Sequence, residues 1–496
     1  MAAPHEFTPP LLLLRENPEA VLTALRQGWV DAMDTAGDQL TDLHVLAALQ
    51  SGLLAECATA FPDPRLNPEI PIAVLLTASV AGAFQGEYAL RESGCALHSP
   101  ALLAELGLNA AWLQAGEGLS RRGTAQEAVF HGDVLRKLLL QIAAADQDAG
   151  RMPGESLLTW WNTTVGPAFL RHAGGGSGAW IRDATKLVVR LKNDHYEGSD
   201  VIQEDGKEPQ RGYKLGLLSS LIDTGRLLVG VAFAGIRTGD LPLTAPLVRG
   251  EGTPLMAGDS LREDRGLLDG AEITCLKRDL GVDVIFPLKK AMLAFRLALA
   301  RVEARPHRWQ PHPSRKKQEV QKVTALQEPW AECQVPLDGV VVREWDAQKQ
   351  EYEYWVFATT EEGRSAKGIL RDYEVRSECE EDHRQIKGPD WELDEFTSTR
   401  LVEILYHVLM VLFAYNLCQL YGQTEAGQRF AGQTKRARQR ELRRHRGLQV
   451  VVVAGTDYAV FDWTVVAEVL LAVEGAAKER LRALVQRQAS GEAAVG

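Results

Sequence analysis

The sequence has no closely spaced cysteines. Cys57, Cys95, Cys275, Cys333, Cys379 and Cys418 are scattered along 496 residues. No C-x-x-C zinc or redox motif can form from such spacing, and reduced thiols of a cytosolic protein are the expectation. There is no excess of basic charge. Lys and Arg number 55 against 66 Asp and Glu, a formal net charge of −11, so any surface for nucleic acid must be local, because the average field repels phosphate. The opening MAAPHEFTPPLLLL has no basic n-region, and its apolar run is only Leu11 to Leu14; it does not read as a secretory signal. Long uninterrupted hydrophobic runs are also missing. Ile70 to Phe84 is 15 residues long, short of the roughly 20 a membrane span needs. Leu401 to Tyr421 is long enough but contains Glu403, His407, Asn416 and Gln419. Both are expected to be core helices, with no membrane partner. No internal repeat is found. The glycine-rich AGGGSG at 173–178 lacks a following Gly-Lys-Ser/Thr, which excludes a phosphate-cradling P-loop and leaves a flexible hinge.

What is present is the composition of a globular protein, 45% hydrophobic and 24% charged, which excludes a disordered chain. At roughly 150 residues per domain the length suggests about three domains. Apolar residues recur at helical spacing through Ala20 to Arg26, Leu43 to Leu54, Ile72 to Phe84, Ala101 to Leu106 and Val134 to Ile142, so residues 1–178 are expected to form a helical N-terminal domain. After the glycines the pattern turns to strands, at Ala179 to Leu191, Lys214 to Asp223 and Leu227 to Ala234, the last two joined by a tight Thr224-Gly225 turn. A helix is expected over Leu267 to Leu280, a buried strand at Val282 to Pro287 and a helix over Lys289 to Glu303. From 305 to 357 the prolines Pro306, Pro311, Pro313, Pro329 and Pro336 exclude long helices, while Val340 to Trp345 and Tyr352 to Thr359 are β-rich. Helices are expected again at Tyr373 to Lys387, Thr399 to Tyr421 and Val465 to Leu484, with a short strand at Val450 to Val453.

The segment that carries chemistry is Tyr373 to Lys387, YEVRSECEEDHRQIK. At 100° per helical residue, Tyr373, Arg376, Glu380 and Lys387 fall at about 0°, 300°, 340° and 320°. They share one face; Glu381 and Asp382 do not. A carboxylate flanked by Arg and Lys can be a metal ligand beside a phosphate clamp. Spacing alone leaves open a solvated helix with intrahelical ion pairs.

The pattern Tyr373-x2-Arg376-x3-Glu380-x6-Lys387 resembles the Y-x2-R-x3-E-x6-K signature of the DDE transposases of bacterial insertion sequences. Asp183, in WIRDATK, resembles the first acidic motif of that family, and Asp264, in LREDRG, resembles the second, Asp-Arg-Gly. Asp183 and Asp264 lie 81 residues apart, and Asp264 and Glu380 lie 116 apart; the longer gap resembles the subgroup with a β-rich insertion before the last acid. Ala184 and His383 depart from the residues common at those places. The strand before Asp264 is poorly apolar, which keeps Asp259 as an alternative ligand.

The resemblance covers about 178–422 and implies a mixed, multidomain α/β protein. Its ribonuclease-H-like core would be residues 179–304 and 358–425, interrupted by a β-rich insertion at 305–357. A helical domain at 1–178, suited to binding transposon ends, would precede it, and a basic, helical tail at 426–496 would follow. The resemblance further implies that Asp183, Asp264 and Glu380 are catalytic and hold two Mg2+ ions, with Mn2+ as a substitute, for hydrolysis and strand transfer at phosphodiesters. It implies that Tyr373, Arg376 and Lys387 hold phosphates of the element's end, and that double-stranded DNA, as inverted repeats and target, is the partner of a homodimer in the bacterial cytoplasm. An inactive, repurposed DNA-binding relative and a metal-dependent nuclease without strand transfer are the alternatives. Two further groups are candidates for DNA. The run Gln433 to Arg446 holds seven Lys and Arg against one Glu, including Lys435, Arg436, Arg438, Arg440, Arg443 and Arg444; a solvated helix is its other meaning. Trp309 and Trp330, beside Trp345 and Trp355, are candidates to stack on a flipped base, with core packing as the alternative and Trp355 reading as core.

Overall fold

The computed structural model describes residues 15–35, 39–90, 92–97, 100–108, 129–192, 195–223, 225–250, 252–376, 383–425, 427–430, 432–444 and 449–490. The chain divides into two compact units. One comprises residues 1–160 with 388–496 and the other residues 161–387. This differs from the sequence-based division. The C-terminal tail folds with the N-terminal residues rather than alone. The long helix Leu401–Tyr421, assigned to the core by resemblance, belongs to the first unit.

The first unit is largely helical. Its helix Leu401–Tyr421 is buried along nearly its whole length and packs against helices Gln39–Gln50, Ile72–Gln85 and Asp133–Asp148. It is the one described helix long and apolar enough to cross a membrane, and its apolar window lies wholly inside the protein, as a core helix requires. A small sheet accompanies these helices. It contains β1 (Arg15–Glu16) and β2 (Ala32–Thr35), with two later strands, Gln449–Ala454 and Asp457–Asp462. Val450 and Val452 of that hairpin meet Val21, Leu25, Val466 and Val469 in one apolar cluster.

The second unit contains a single long sheet. Its strands are β3 (Ala179–Val189), β4 (Asp200–Ile202), β5 (Gln210–Ile222), β6 (Gly225–Gly235), β7 (Ser260–Glu263), β8 (Asp283–Pro287), β9 (Gln310–Pro311), β10 (Gln318–Val323), β11 (Asp338–Asp346) and β12 (Glu351–Thr359). The hairpin β5–β6 forms as expected, with Ile222 opposite Gly225; β5 also pairs antiparallel with β3. β7 then lies parallel to the other side of β3, and β8 parallel to β7. The order is therefore β6-β5-β3-β7-β8. Strand β5 is buried almost throughout because it has a strand on each side and a helix on its face. Gly216 lets that helix, Asp240–Arg249, approach: a Cβ there would sit 2.5 Å from Thr244 Cγ2.

The insertion does not stand apart. β12 pairs antiparallel with β8, and β11, β10 and β9 follow, so the insertion strands extend the core sheet. Helix Ala366–Glu374 closes over them. Ser365 caps it by accepting the N–H of Gly368 at 3.1 Å, and its Ile369 and Leu370 bury against Ile285, Val320, Val340 and Val342. The glycine stretch at 173–178 lies inside this unit. Gly176 packs so closely on Ser220 that a Cβ would meet its Oγ at 2.3 Å. Gly174 and Gly175, at φ +79° and +98°, have open space around them; the stretch is an exposed turn within the unit and not a linker between the two units.

Candidate active site

Side chains alternate between the two faces of a strand. On β3 this sends Arg182 to one face and Asp183 to the other. The parallel register sets Arg182 beside Glu263 on β7, and Asp264 follows as the first residue beyond that strand's C-terminal end. Two acids 81 residues apart in sequence thereby meet. Arg376 Nη2 lies 3.4 Å from Asp183 Oδ2 and 3.6 Å from Asp264 Oδ2, so one guanidinium nitrogen faces both carboxylates. Asp259, the alternative, is engaged elsewhere: its Oδ2 accepts from Trp180 Nε1 at 2.9 Å and from the Met256 N–H at 2.8 Å. The register thus favours Asp264.

Helix Ala366–Glu374 delivers the cationic side of the site. It ends at Tyr373 and Glu374, and a turn with the Arg376 N–H donating to Tyr373 O at 2.9 Å directs Arg376 back towards the sheet. The expectation of one helix from 373 to 387 is therefore corrected: Tyr373 closes a helix that begins at Ala366, and 383–387 is again helical. Burial pushes the Tyr373 hydroxyl up to about 12, opposed by the adjacent Arg376, with Asp264 close enough to raise it further. His383 Nδ1 lies 3.9 Å from Asp183 Oδ2, a proximity too long for a hydrogen bond. Burial, then the nearby Lys387, Arg226 and Arg376, hold the imidazole down at about 3, so it is neutral at pH 7. The structure thus gathers Asp183, Asp264, Tyr373, Arg376, His383 and Lys387. Glu380 lies outside the described residues.

Burial raises the Asp183 carboxyl above its ordinary range, opposed by Arg376 and reinforced by Asp264 and Asp240. Asp240 was not foreseen. It opens helix Asp240–Arg249 and forms an ion pair with Lys214 at 2.8 Å; no signature spacing marks it in the sequence. Such crowding of acids with oxygen donors suits a hard divalent cation. Among the described residues no three His, Cys, Asp or Glu side chains form a metal-ligating group, so a site built on Asp183 and Asp264 needs a donor from beyond them.

A cavity of about 150 Å³ opens beside Arg376 in the same unit, lined by Tyr373, Trp355, Phe357, His312 and Arg315. Of the four tryptophans considered, Trp355 is the one on this cavity. Trp309 has the Arg343 guanidinium 4.0 Å from its ring centroid, and Trp330 packs edge-on to Phe286 at 6.2 Å. Trp309 and Trp330 are both half-buried.

The basic run is also only partly available. Lys435 is buried, donating to Ala83 O at 3.1 Å and Asp390 O at 2.8 Å and lying over the Trp391 ring. Arg438 is buried, donating to Cys418 O at 2.8 Å and Gln433 O at 3.2 Å. These two hold loop and helix carbonyls together, which corrects the expectation that they face phosphate. Arg436 and Arg440 are exposed, Arg436 with Asp390 at 2.5 Å. The side chains of Arg443 and Arg444 lie outside the described residues.

No family model matches the chain, and no curated protein matches it. Among solved structures it is similar to a piggyBac transposase in a synaptic complex with hairpin DNA, solved by cryo-electron microscopy. The TM-score is 0.41 at 10% identity, covering 85% of this chain and 79% of that one.

Proposed function

We propose that this chain is a DDE-type DNA transposase that cleaves the ends of a bacterial insertion sequence and joins them to target DNA in a cut-and-paste reaction. The observation that carries the reading is the meeting of Asp183 and Asp264 at one guanidinium beside the Tyr373, Arg376 and Lys387 of the signature. The sheet order β6-β5-β3-β7-β8, antiparallel for the first three and parallel thereafter, supports a ribonuclease-H-like core. By the resemblance Glu380 is the third acid; it stands in sequence between Arg376 and His383, both of which approach Asp183.

Two Mg2+ ions, or Mn2+, held by Asp183, Asp264 and Glu380 would neutralise the charge that builds on the attacking and leaving oxygens of a phosphodiester. Arg376 balances the two described acids in the free protein and, with Lys387, presents positive charge to DNA phosphates. His383, uncharged at neutral pH, adds no competing charge beside Asp183. Trp355 lines the cavity beside Arg376 and joins Trp309 and Trp330 as a candidate to stack on a flipped base. Arg436 and Arg440, exposed in the structure, and Arg443 and Arg444 of the same run are the candidates to meet double-stranded DNA. A homodimer in the DNA complex, and action in the bacterial cytoplasm, are carried over from the family resemblance.

The test is cleavage of DNA bearing the inverted repeats that flank the gene, with Mg2+. Wild type should nick and join strands, and Asp183→Ala and Glu380→Ala should abolish both. Unchanged cleavage by either variant would falsify the assignment, and nicking without joining would make the protein a nuclease.

A further inference from the structure

Directly behind the two acids, on the opposite face of the sheet, lies a charged cluster that the reaction does not touch. Arg182 is fully buried. Its Nη1 donates to Glu263 Oε1 at 2.8 Å and to Glu272 Oε1 at 2.5 Å, its Nε to Thr244 Oγ1 at 2.7 Å, and its Nη2 reaches Leu241 O at 3.5 Å. Glu263 and Glu272 are themselves buried, and Arg249 approaches Glu272 at 3.4 Å. The local logic is positional. Arg182 is one residue from Asp183, Glu263 is one residue from Asp264, and Leu241 is one residue from Asp240. A single planar guanidinium therefore ties together the two strands that carry Asp183 and Asp264 and the helix that Asp240 opens.

We propose that Arg182, with Glu263 and Glu272, is a positioning device that fixes the spacing of the metal-binding acids. It rests on the reading of Asp183 and Asp264 as metal ligands. Small errors in the placement of ligating carboxylates weaken a metal site, and loss of a supporting partner typically costs about 10–100-fold in affinity or activity. A fixed planar fork suits this task better than an ammonium, which cannot direct donors to several acceptors at fixed angles. A purely apolar filling of the same volume would keep the layers packed but would not tie the segments to one another.

The experiment is titration of the full-length protein with Mn2+ alone, followed calorimetrically, beside thermal melting and the Mg2+ concentration that half-saturates DNA cleavage. Arg182→Lys keeps the charge and removes the fork. It should weaken Mn2+ binding about tenfold and raise the Mg2+ requirement by the same factor, while cleavage at saturating Mg2+ recovers. If Arg182→Lys does not fold, the triple variant Arg182→Met, Glu263→Leu, Glu272→Leu replaces it, with the same expected loss of Mn2+ affinity in a protein that melts at or above the wild-type temperature. A folded variant with wild-type Mn2+ affinity overturns the inference. Asp183→Ala is the control: if it binds Mn2+ as wild type does, the metal reading itself fails and this inference falls with it. If only Asp183→Ala is impaired, the metal reading stands and the positioning role does not.

Discussion

Lys435 and Arg438 show how far a residue's charge can mislead about its role. Each is a cation in a basic run, yet each spends its donors on buried carbonyls. Arg438→Ala would remove the donors to Gln433 O and His44 Nε2, while Cys418 O would keep the Gly422 N–H; a buried acceptor left unmet costs about 1–3 kcal/mol. We therefore expect Arg438→Ala to lower the free energy of unfolding by about 2–4 kcal/mol without a specific loss of DNA affinity, measured by urea denaturation and by binding to the element's end. Arg436→Ala and Arg440→Ala should show the reverse pattern, near-native stability and weaker, less salt-dependent binding. Trp355→Ala, on the cavity beside Arg376, should slow end cleavage at least tenfold in single-turnover assays. Asp183 and Asp264 were legible because their immediate flanks resemble known motifs. Arg182 and Asp240 were not, because what defines them is a neighbour across the sheet or on the next helix, 59 or more residues away in sequence for each Arg182 partner.

Among the elements, strands and long apolar helices were readable from periodicity. β3, β5, β6 and β8 fall within a few residues of their expected limits, as does Leu401–Tyr421. The helix Asp240–Arg249 escaped notice, since Pro242 and Pro246 lie within it and proline normally ends a helical pattern. β7 is only four residues long and polar; its neighbours β3 and β8 hold it in place, not its own propensity. The long helices of the first unit carry a pH dependence. His44 is buried, with Nδ1 donating to Leu40 O at 2.7 Å and Nε2 accepting from Arg438 at 3.1 Å, and burial brings it down to about 3. His407 is buried against Tyr88 and Phe396, and burial brings it down to about 4. Both fold as neutral imidazoles, while the unfolded chain takes up protons near pH 6.5. The stabilising effect is thus present above pH 6.5 and is lost as the pH falls towards 4. At pH 5 each histidine should remove about 2 kcal/mol. Denaturation at pH 7 and pH 5 checks this, and His407→Gln should reduce the difference by about 2 kcal/mol, the remainder coming from His44 and His383.

At the scale of the molecule, the two units were only partly legible. Composition marked the helical beginning and the β-rich middle, but no local signal says that residues 388–496 fold with 1–160; that pairing comes from long-range contacts such as β1 with the strand Asp457–Asp462. The insertion likewise read as a separate β module until the pairing of β8 with β12 joined it to the core. Metal removal is expected to separate the functions at this scale: with chelator present, binding of the element's end should persist while cleavage stops. The most direct measurement is affinity cleavage of the protein itself. Fe2+ would be bound in place of Mg2+, ascorbate and peroxide added, and the peptide fragments mapped. Cuts clustered near 183, 264 and 380 in one reaction, suppressed by excess Mg2+, are the outcome expected if distant segments share one metal centre. Cuts that spare 183 and 264, or that persist in Asp183→Ala, would contradict it.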